Sequence, residues 1–168
     1  FIDIGANSGF FTLLASRRVG SHGKVIAFEP VQSMRNRLTE GISLNAMKNV
    51  SVEGVAVSNI EGTLPLFEGP EGHKGISSLR EIDKAAMTIQ VKTIPLDNFY
   101  AQLSDVKLIK IDVEGAEQLA LNGMQQILDN YHPYLVIEVT DGFLRAFGHG
   151  AIQLARHLTS KGYRMYEI

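Results

Sequence analysis

The stretch Phe1-Ile2-Asp3-Ile4-Gly5-Ala6-Asn7-Ser8-Gly9-Phe10-Phe11-Thr12-Leu13-Leu14 constrains the fold more than any other part of the chain. A short apolar run ends in an acid and two glycines, and an amphipathic pattern follows, so the spacing predicts a buried strand, a tight turn and a helix. In an open α/β sheet a ligand sits at such a place. Glycines let the backbone turn sharply and come close to a ligand, and the helix presents free N–H groups and its positive dipole end. A dinucleotide site normally carries Gly-x-Gly-x-x-Gly, which brings a diphosphate against bare N–H groups. Here only Gly5 and Gly9 remain and Asp3 stands two residues before the first, so a phosphate meets repulsion and a cationic group meets attraction. The plainer alternative is a βα turn without a ligand, in which Asp3 caps the helix.

Later segments repeat the pattern. Phe11, Leu14, Ala15 and Val19 give a first helix its apolar stripe, and Gly20 is placed to end it. Lys24 to Phe28 reads as a second buried strand that stops at Glu29-Pro30. In nucleotide-binding α/β folds an acid about 20 residues past the glycine turn accepts hydrogen bonds from ribose hydroxyls, which is the place of Glu29; the alternative is a solvated turn acid. Met34, Leu38 and Ile42 give a second helix its apolar face, and Val50 to Val57 reads as a third strand closed by the turn at Ser58-Asn59. The order is then βαβαβ, half of a doubly wound sheet.

Thr63 to Phe67 and Met87 to Ile94 read as an antiparallel strand pair inserted into that order. Between them Glu68 to Ala86, with His73, Lys74, Ser77, Ser78 and Leu79, is long enough to be either a binding loop over the site or a flexible insertion. Leu96 to Leu103 reads as a short helix and Val106 to Ile111 as the fourth strand. That strand runs into Asp112-Val113-Glu114-Gly115-Ala116-Glu117, and a helical pattern through Ala116, Leu119, Ala120, Gly123 and Ile127 follows. Charges so close to an apolar strand demand partners. Tyr134 to Val139 is a fifth strand ending at Glu138, Ile152, Ala155 and Leu158 mark a last helical face stopped by Gly162, and Tyr163 to Ile168 reads as a further strand.

The totals set limits on partners. At 168 residues the chain fits one domain spanning 1–168. Nucleic-acid partners want a concentrated basic face, and 16 Lys and Arg against 18 Asp and Glu make nucleic acid an unexpected partner. No apolar run approaches the roughly 20 residues that span a bilayer. There is no Cys, hence no disulfide or thiol chemistry. The chain starts inside its first strand without Met and ends on an apparent strand, so the expectation is a fragment trimmed at both ends, of a cytoplasmic protein of open oligomeric state.

The runs Asp3-Ile4-Gly5-Ala6-Asn7, Phe28-Glu29-Pro30, Ala56-Val57-Ser58-Asn59 and Ile109-Lys110-Ile111-Asp112-Val113-Glu114-Gly115-Ala116-Glu117 together resemble the FkbM family of S-adenosylmethionine-dependent methyltransferases, from Phe1 to about Tyr163. The resemblance implies an α/β, Rossmann-like methyltransferase fold: a doubly wound, mostly parallel sheet with an inserted β-hairpin and a C-terminal edge strand trimmed from this chain. It implies S-adenosylmethionine as cofactor, which carries an ammonium and a sulfonium where a dinucleotide has phosphates. By the same resemblance Asp3, Gly5, Ala6, Asn7, Gly9, Glu29, Pro30, Val57 and Asp112 bind it, with Asp3 near the ammonium. The family is associated with O-methylation of hydroxyls on sugars, lipid-linked glycans and natural products, so a small-molecule or glycan hydroxyl is the implied acceptor.

Methyl transfer to a hydroxyl requires alignment and a base. Candidates at the strand ends are Asp112, Glu114, Glu138, Asp141 and His149; Asp112, Glu114 and Glu138 are favoured as catalytic, with Glu114 facing the acceptor. Asp112 reads alternatively as a helix N-cap, Glu138 as a cross-sheet partner of Lys110, and His149 and His73 as exposed loop residues. Asp112, Glu138 and Asp141 could hold a divalent metal, but no spacing brings them to one point, and no metal site is expected. An NAD-dependent oxidoreductase and a non-catalytic nucleotide-binding domain are the competing readings. The missing middle glycine and Asp3 disfavour the first; Asp3, Gly5, Gly9, Glu29 and Asp112 together disfavour the second.

Overall fold

The computed structural model describes residues 1–68, 78–79 and 87–167. Five strands form the main sheet: β1 (Ile2–Ile4), β2 (Val25–Phe28), β3 (Val50–Glu53), β7 (Leu108–Ile111) and β8 (Tyr134–Ile137). They are all parallel, in the order β3-β2-β1-β7-β8. A second sheet, ordered β4-β6-β5, holds β4 (Ala56–Val57), β5 (Gly62–Glu68) and β6 (Met87–Ile94), with β5 and β6 antiparallel as the alternation of β6 predicts. Helices α1 (Phe10–Arg18), α2 (Gln32–Leu44), α3 (Glu117–Asn122) and α4 (Gln125–Tyr131) connect strands of the main sheet, a 3₁₀ helix at Leu96–Gln102 precedes β7, and α5 (Asp141–Ala146) and α6 (Ala151–Ser160) follow β8.

The apolar strands β1, β2 and β7 are covered on both faces, which the period-2 side-chain alternation makes explicit. Ile2, Ile4, Ile109 and Ile111 point into the larger core with Leu121, Met124 and Ile127 of the α3–α4 region and with Leu144, Leu154 and Leu158 of α5 and α6. Asp3, Ala27 and Lys110 point the other way. Ala27 packs with Leu38 of α2, and Asp3 meets Thr12 of α1. Among the described residues no helix is long and apolar enough to cross a membrane.

Several expectations are corrected. Val50 to Val57 is two strands in two sheets: the chain leaves β2 after Glu53, passes Gly54 and Val55, and joins β6 at Ala56. The buried face of α1 is not its apolar stripe, for Phe11 and Leu14 are exposed while Thr12 and Ser16 are buried. Both hydroxyls have a polar partner inside: Thr12 donates to Asp3, and Ser16 donates to Asn49 at 2.6 Å. The helical pattern after Asp112 breaks between α3 and α4, because Asp97 of the 3₁₀ helix accepts from the backbone N–H groups of Gln126 and Ile127 and so starts a new helix. In α6 Leu154 and Leu158 are buried, whereas Ile152 faces solvent. Tyr163 to Glu167 is not a strand; Tyr163 stacks on His132 beyond the α6 cap, and no ladder forms there among the described residues.

Candidate functional site

The strand order places β7 beside β1 although β2 and β3 intervene in sequence. The chain reverses its direction across the sheet between β1 and β7, and a crevice opens at the carboxyl ends of the strands at such a switch point. Asp3 lies in register with Lys110, and Lys110 with Val136.

The Gly5–Gly9 turn forms one rim. The N–H groups of Gly5 and Ala6 both donate to the Phe28 carbonyl, at 3.1 and 3.0 Å. Asn7 takes a left-handed φ of 52°, which its short polar side chain tolerates, and its N–H donates to Glu29 Oε2 at 2.8 Å. Glu29 Oε1 accepts from the N–H of Val31 at 2.8 Å, so one carboxylate ties the two turns together. Burial pushes the Glu29 carboxyl up, and those backbone hydrogen bonds oppose the shift. Each oxygen keeps a second lone pair.

The two glycines work differently from their sequence reading. Gly5 has a φ of 75°, and a Cβ there would overlap the carbonyl of Asp112; at Gly9 it would overlap Leu38 of α2. Their missing side chains let protein approach protein, closing β1 onto β7 and α1 onto α2.

The cavity is lined by Gly5 and Asn7 of the first turn, Glu29, Pro30 and Val31 of the second, and Val57 at the end of β4. Met34, Leu66 and Leu79 add an apolar wall, and Asp112, Glu114 and Glu138 an acidic one. None of the described residues lining it is Lys or Arg. Asp3, Ala6 and Gly9 lie behind its surface. Asp3 is fully buried, accepts from Thr12 Oγ1 at 2.6 Å, and presents Oδ1 to Lys110 Nζ at 3.5 Å. Burial pushes its carboxyl up, and Lys110 and Thr12 pull against that.

The acidic wall is crowded. Glu138 is raised by a side-chain hydrogen bond with Asp112, then by the charge of Asp112 and by burial. Glu114 is half-buried with φ 51°, and burial followed by the charges of Asp112, Glu138 and Glu117 pushes its carboxyl up to about 7. A non-glycine residue held left-handed at a site stores strain that the surroundings must hold. Two contacts hold it: Glu117 Oε1 accepts from the N–H of Gly115 at 2.9 Å, and Ser78 Oγ donates to the Glu114 carbonyl at 3.1 Å. Ser78 also pairs with the backbone of Phe67, which carries Leu79 to the cavity wall.

Asp112 is not a helix cap, because α3 begins at Glu117 without a side-chain cap. Lys110 forms ion pairs with Asp3 and Asp112 and donates to the Gly5 carbonyl, so its ion pairs bypass Glu138. Asp141 is outside the cavity: its oxygens accept from the N–H of Ala151 and from Arg145, which hold its carboxyl below the usual range. His149 is also elsewhere, its N–H bound to the Leu144 carbonyl. His73, Lys74 and Ser77 lie outside the described residues. Among the described residues no three acidic or histidine side chains converge as a metal site. Sequence reasoning gave no site role to Lys110 or Glu117. For Lys110 the signal was a lysine inside the apolar run Leu108-Ile109-Lys110-Ile111; for Glu117 it was an acid in the first turn of a helix.

Residues 3–165 match the family described as the methyltransferase FkbM domain. Among curated proteins the chain is similar to Methyltransferase sdnD of Sordaria araneosa, at 26% identity over 74% of this chain and 60% of the relative. It is also similar to Methyltransferase 1 of Beauveria bassiana, at 26% identity over 83% of this chain and 64% of the relative. The chain thus spans less than two thirds of the curated relatives it matches. Among solved structures, methyltransferase FkbM from Methylobacillus flagellatus superposes with a TM-score of 0.65 at 19% identity, over 95% of this chain and 36% of that one. A SAM-dependent methyltransferase from Aquifex aeolicus gives 0.51 at 17% identity, over 99% and 72%. These likenesses establish the α/β Rossmann-like fold.

Proposed function

The chain belongs to the FkbM-domain family of S-adenosylmethionine-dependent methyltransferases, and from that premise we propose that it methylates a hydroxyl of a sugar, glycan or natural-product acceptor. The observation that carries the reading is the charge of the cavity: Glu29, Asp112, Glu114 and Glu138 line it without a lysine or arginine among its described residues. Such a wall repels a diphosphate and suits a ligand bearing an ammonium and a sulfonium. The donor set fits the group. In this reading the Gly5–Asn7 turn, Glu29, Pro30 and Val57 receive the nucleoside, the free lone pairs of Glu29 accepting from ribose hydroxyls, and Asp112 and Glu138 face the cationic end.

When bound, the cofactor supplies a methyl group on a positively charged sulfur. Glu114 is the base assigned to the acceptor. Its carboxyl is raised to about 7, so it holds and releases a proton near neutrality, where a general base is most effective. Glu114 Oε would take the proton of the acceptor hydroxyl as the hydroxyl oxygen received that methyl group. Asp3, Ala6 and Gly9 support the turn from behind.

Titration of the purified protein with S-adenosylhomocysteine and, separately, with NAD⁺ tests the reading. Micromolar binding of the first and none of the second is expected, followed by transfer of labelled methyl to hydroxyl acceptors. Glu114→Gln is expected to lower that transfer by about 10²–10⁴-fold with binding retained. Tight NAD⁺ binding would overturn the proposal, and methyl transfer to nitrogen or carbon acceptors alone would overturn its hydroxyl part.

A further inference from the structure

Lys110 occupies the middle of β7 with its side chain only 8% exposed, between two fully buried isoleucines. An ammonium is costly to bury unless charges and hydrogen bonds surround it. Its ammonium donates to the Gly5 carbonyl at 2.9 Å and is ion-paired with Asp112 Oδ2 at 3.1 Å and, more loosely, with Asp3 Oδ1 at 3.5 Å. The Phe11 ring closes the remaining side, 5.4 Å from Nζ.

The order of those distances matters. A lysine that only compensated buried Asp3 would sit closest to Asp3, yet Asp3 is its most distant partner and has Thr12 as a hydrogen-bond donor of its own. The two shorter contacts go to Gly5 and Asp112, both of which line the cavity, while Lys110 stays behind it. One buried cation thus ties the glycine turn after β1 to the acid after β7, across the switch point.

We propose that Lys110 is a positioning residue of this site, aiming the Asp112 carboxylate and the Gly5 carbonyl at the cationic amino-acid end of the cofactor, with Asp3 as its buried counter-charge. The inference rests on the methyltransferase reading. Asp3 then serves the site through Lys110, which explains why an acid placed for a ligand is sealed from the cavity. In that reading the nucleoside end is held by Glu29 and Pro30 just after β2 and by Val57 of β4, where Lys110 acts on Glu29 through its charge alone.

Lys110→Met alone strands a buried carboxylate and is prone to unfold, so the test removes both charges, as Asp3→Asn with Lys110→Met. An apolar pair, Asp3→Leu with Lys110→Leu, serves if the first does not fold, since buried ion pairs are often replaced by hydrophobic side chains without loss of stability. Circular dichroism melts establish folding. Calorimetry on the full-length protein then compares S-adenosylhomocysteine with adenosine, which lacks the amino-acid end. Expected is adenosine affinity within about twofold of the parent and S-adenosylhomocysteine affinity lower by roughly tenfold or more, as loss of a charge-assisted hydrogen bond implies. A folded double variant that binds both ligands as the parent does, or loses both equally, overturns the positioning role. A parent that binds neither ligand overturns the proposed function itself, and the role of Lys110 with it.

Discussion

Glu114 keeps its proton to about pH 7 because burial and three neighbouring acids oppose its charge, whereas an unfolded Glu titrates near about 4.3. The folded pKa is the raised one, so the folded state binds the proton more tightly. The stability this contributes is complete below the unfolded value and is lost as pH rises through 7. Glu114→Gln removes the titration. It is expected to gain stability over the parent between pH 5 and pH 8 by about 1–2 kcal/mol, a figure already reduced for the solvent that screens a half-exposed group. Urea melts at the two pH values read it directly, and an identical pH response in both proteins would place Glu114 in ordinary solvent. Under the proposed role of Glu114 as base, activity is expected to rise through the same pH range as its carboxyl ionises. At this scale the acids were legible: Glu29, Asp112 and Glu114 stand where an apolar strand stops, and they do line the cavity. The orientation of Asp3 was not. It depends on the register that sets Asp3 opposite Lys110, residues far apart in the chain, and no local pattern encodes that pairing.

At the scale of elements, the turn between β1 and α1 has two glycines with unequal obstacles. A Cβ on Gly5 meets the backbone carbonyl of Asp112, which cannot move without separating β1 from β7. A Cβ on Gly9 meets the end of the Leu38 side chain, which can shift. Both also carry positive φ values, 75° and 97°, that an alanine adopts at a cost. Gly5→Ala is therefore expected to destabilise by about 3 kcal/mol or more and Gly9→Ala by about 1–3 kcal/mol. In a Leu38→Val background Gly9→Ala is expected to cost less, with a coupling of about 0.5–2 kcal/mol, while Gly5→Ala costs the same. Equal costs of Gly9→Ala in both backgrounds would attribute its effect to φ alone. The strand, turn and helix were legible here from the apolar run and the glycines. The buried face of α1 was not, because Thr12 and Ser16 are drawn inside by Asp3 and Asn49, partners on other elements that an apolar stripe cannot announce.

Across the whole molecule, two sheets share one cavity. The alternation of apolar strands and helical patterns revealed the parallel sheet, but not that Ala56 and Val57 would leave it to extend the β5–β6 pair, since that choice turns on Gly54 and Val55 and on which sheet offers the free edge. The consequence is a second core of Val31, Met34, Ala56, Leu66 and Val91, with Leu79 packed against it, between α2 and the smaller sheet. Val31, Met34, Leu66 and Leu79 also line the cavity, so the same residues attach the smaller sheet and form the apolar wall of the site. Leu66→Ala is expected to destabilise by about 2–5 kcal/mol through the void it leaves. Because the wall loosens with it, ligand protection should fall as well. S-adenosylhomocysteine at 100 times its dissociation constant stabilises the parent by about 2.7 kcal/mol, and the variant at that same concentration gains less. Melts with and without the ligand separate the two effects. A variant that loses stability yet keeps the full ligand gain would show that the smaller sheet only scaffolds the fold; a joint loss makes the second core part of the site.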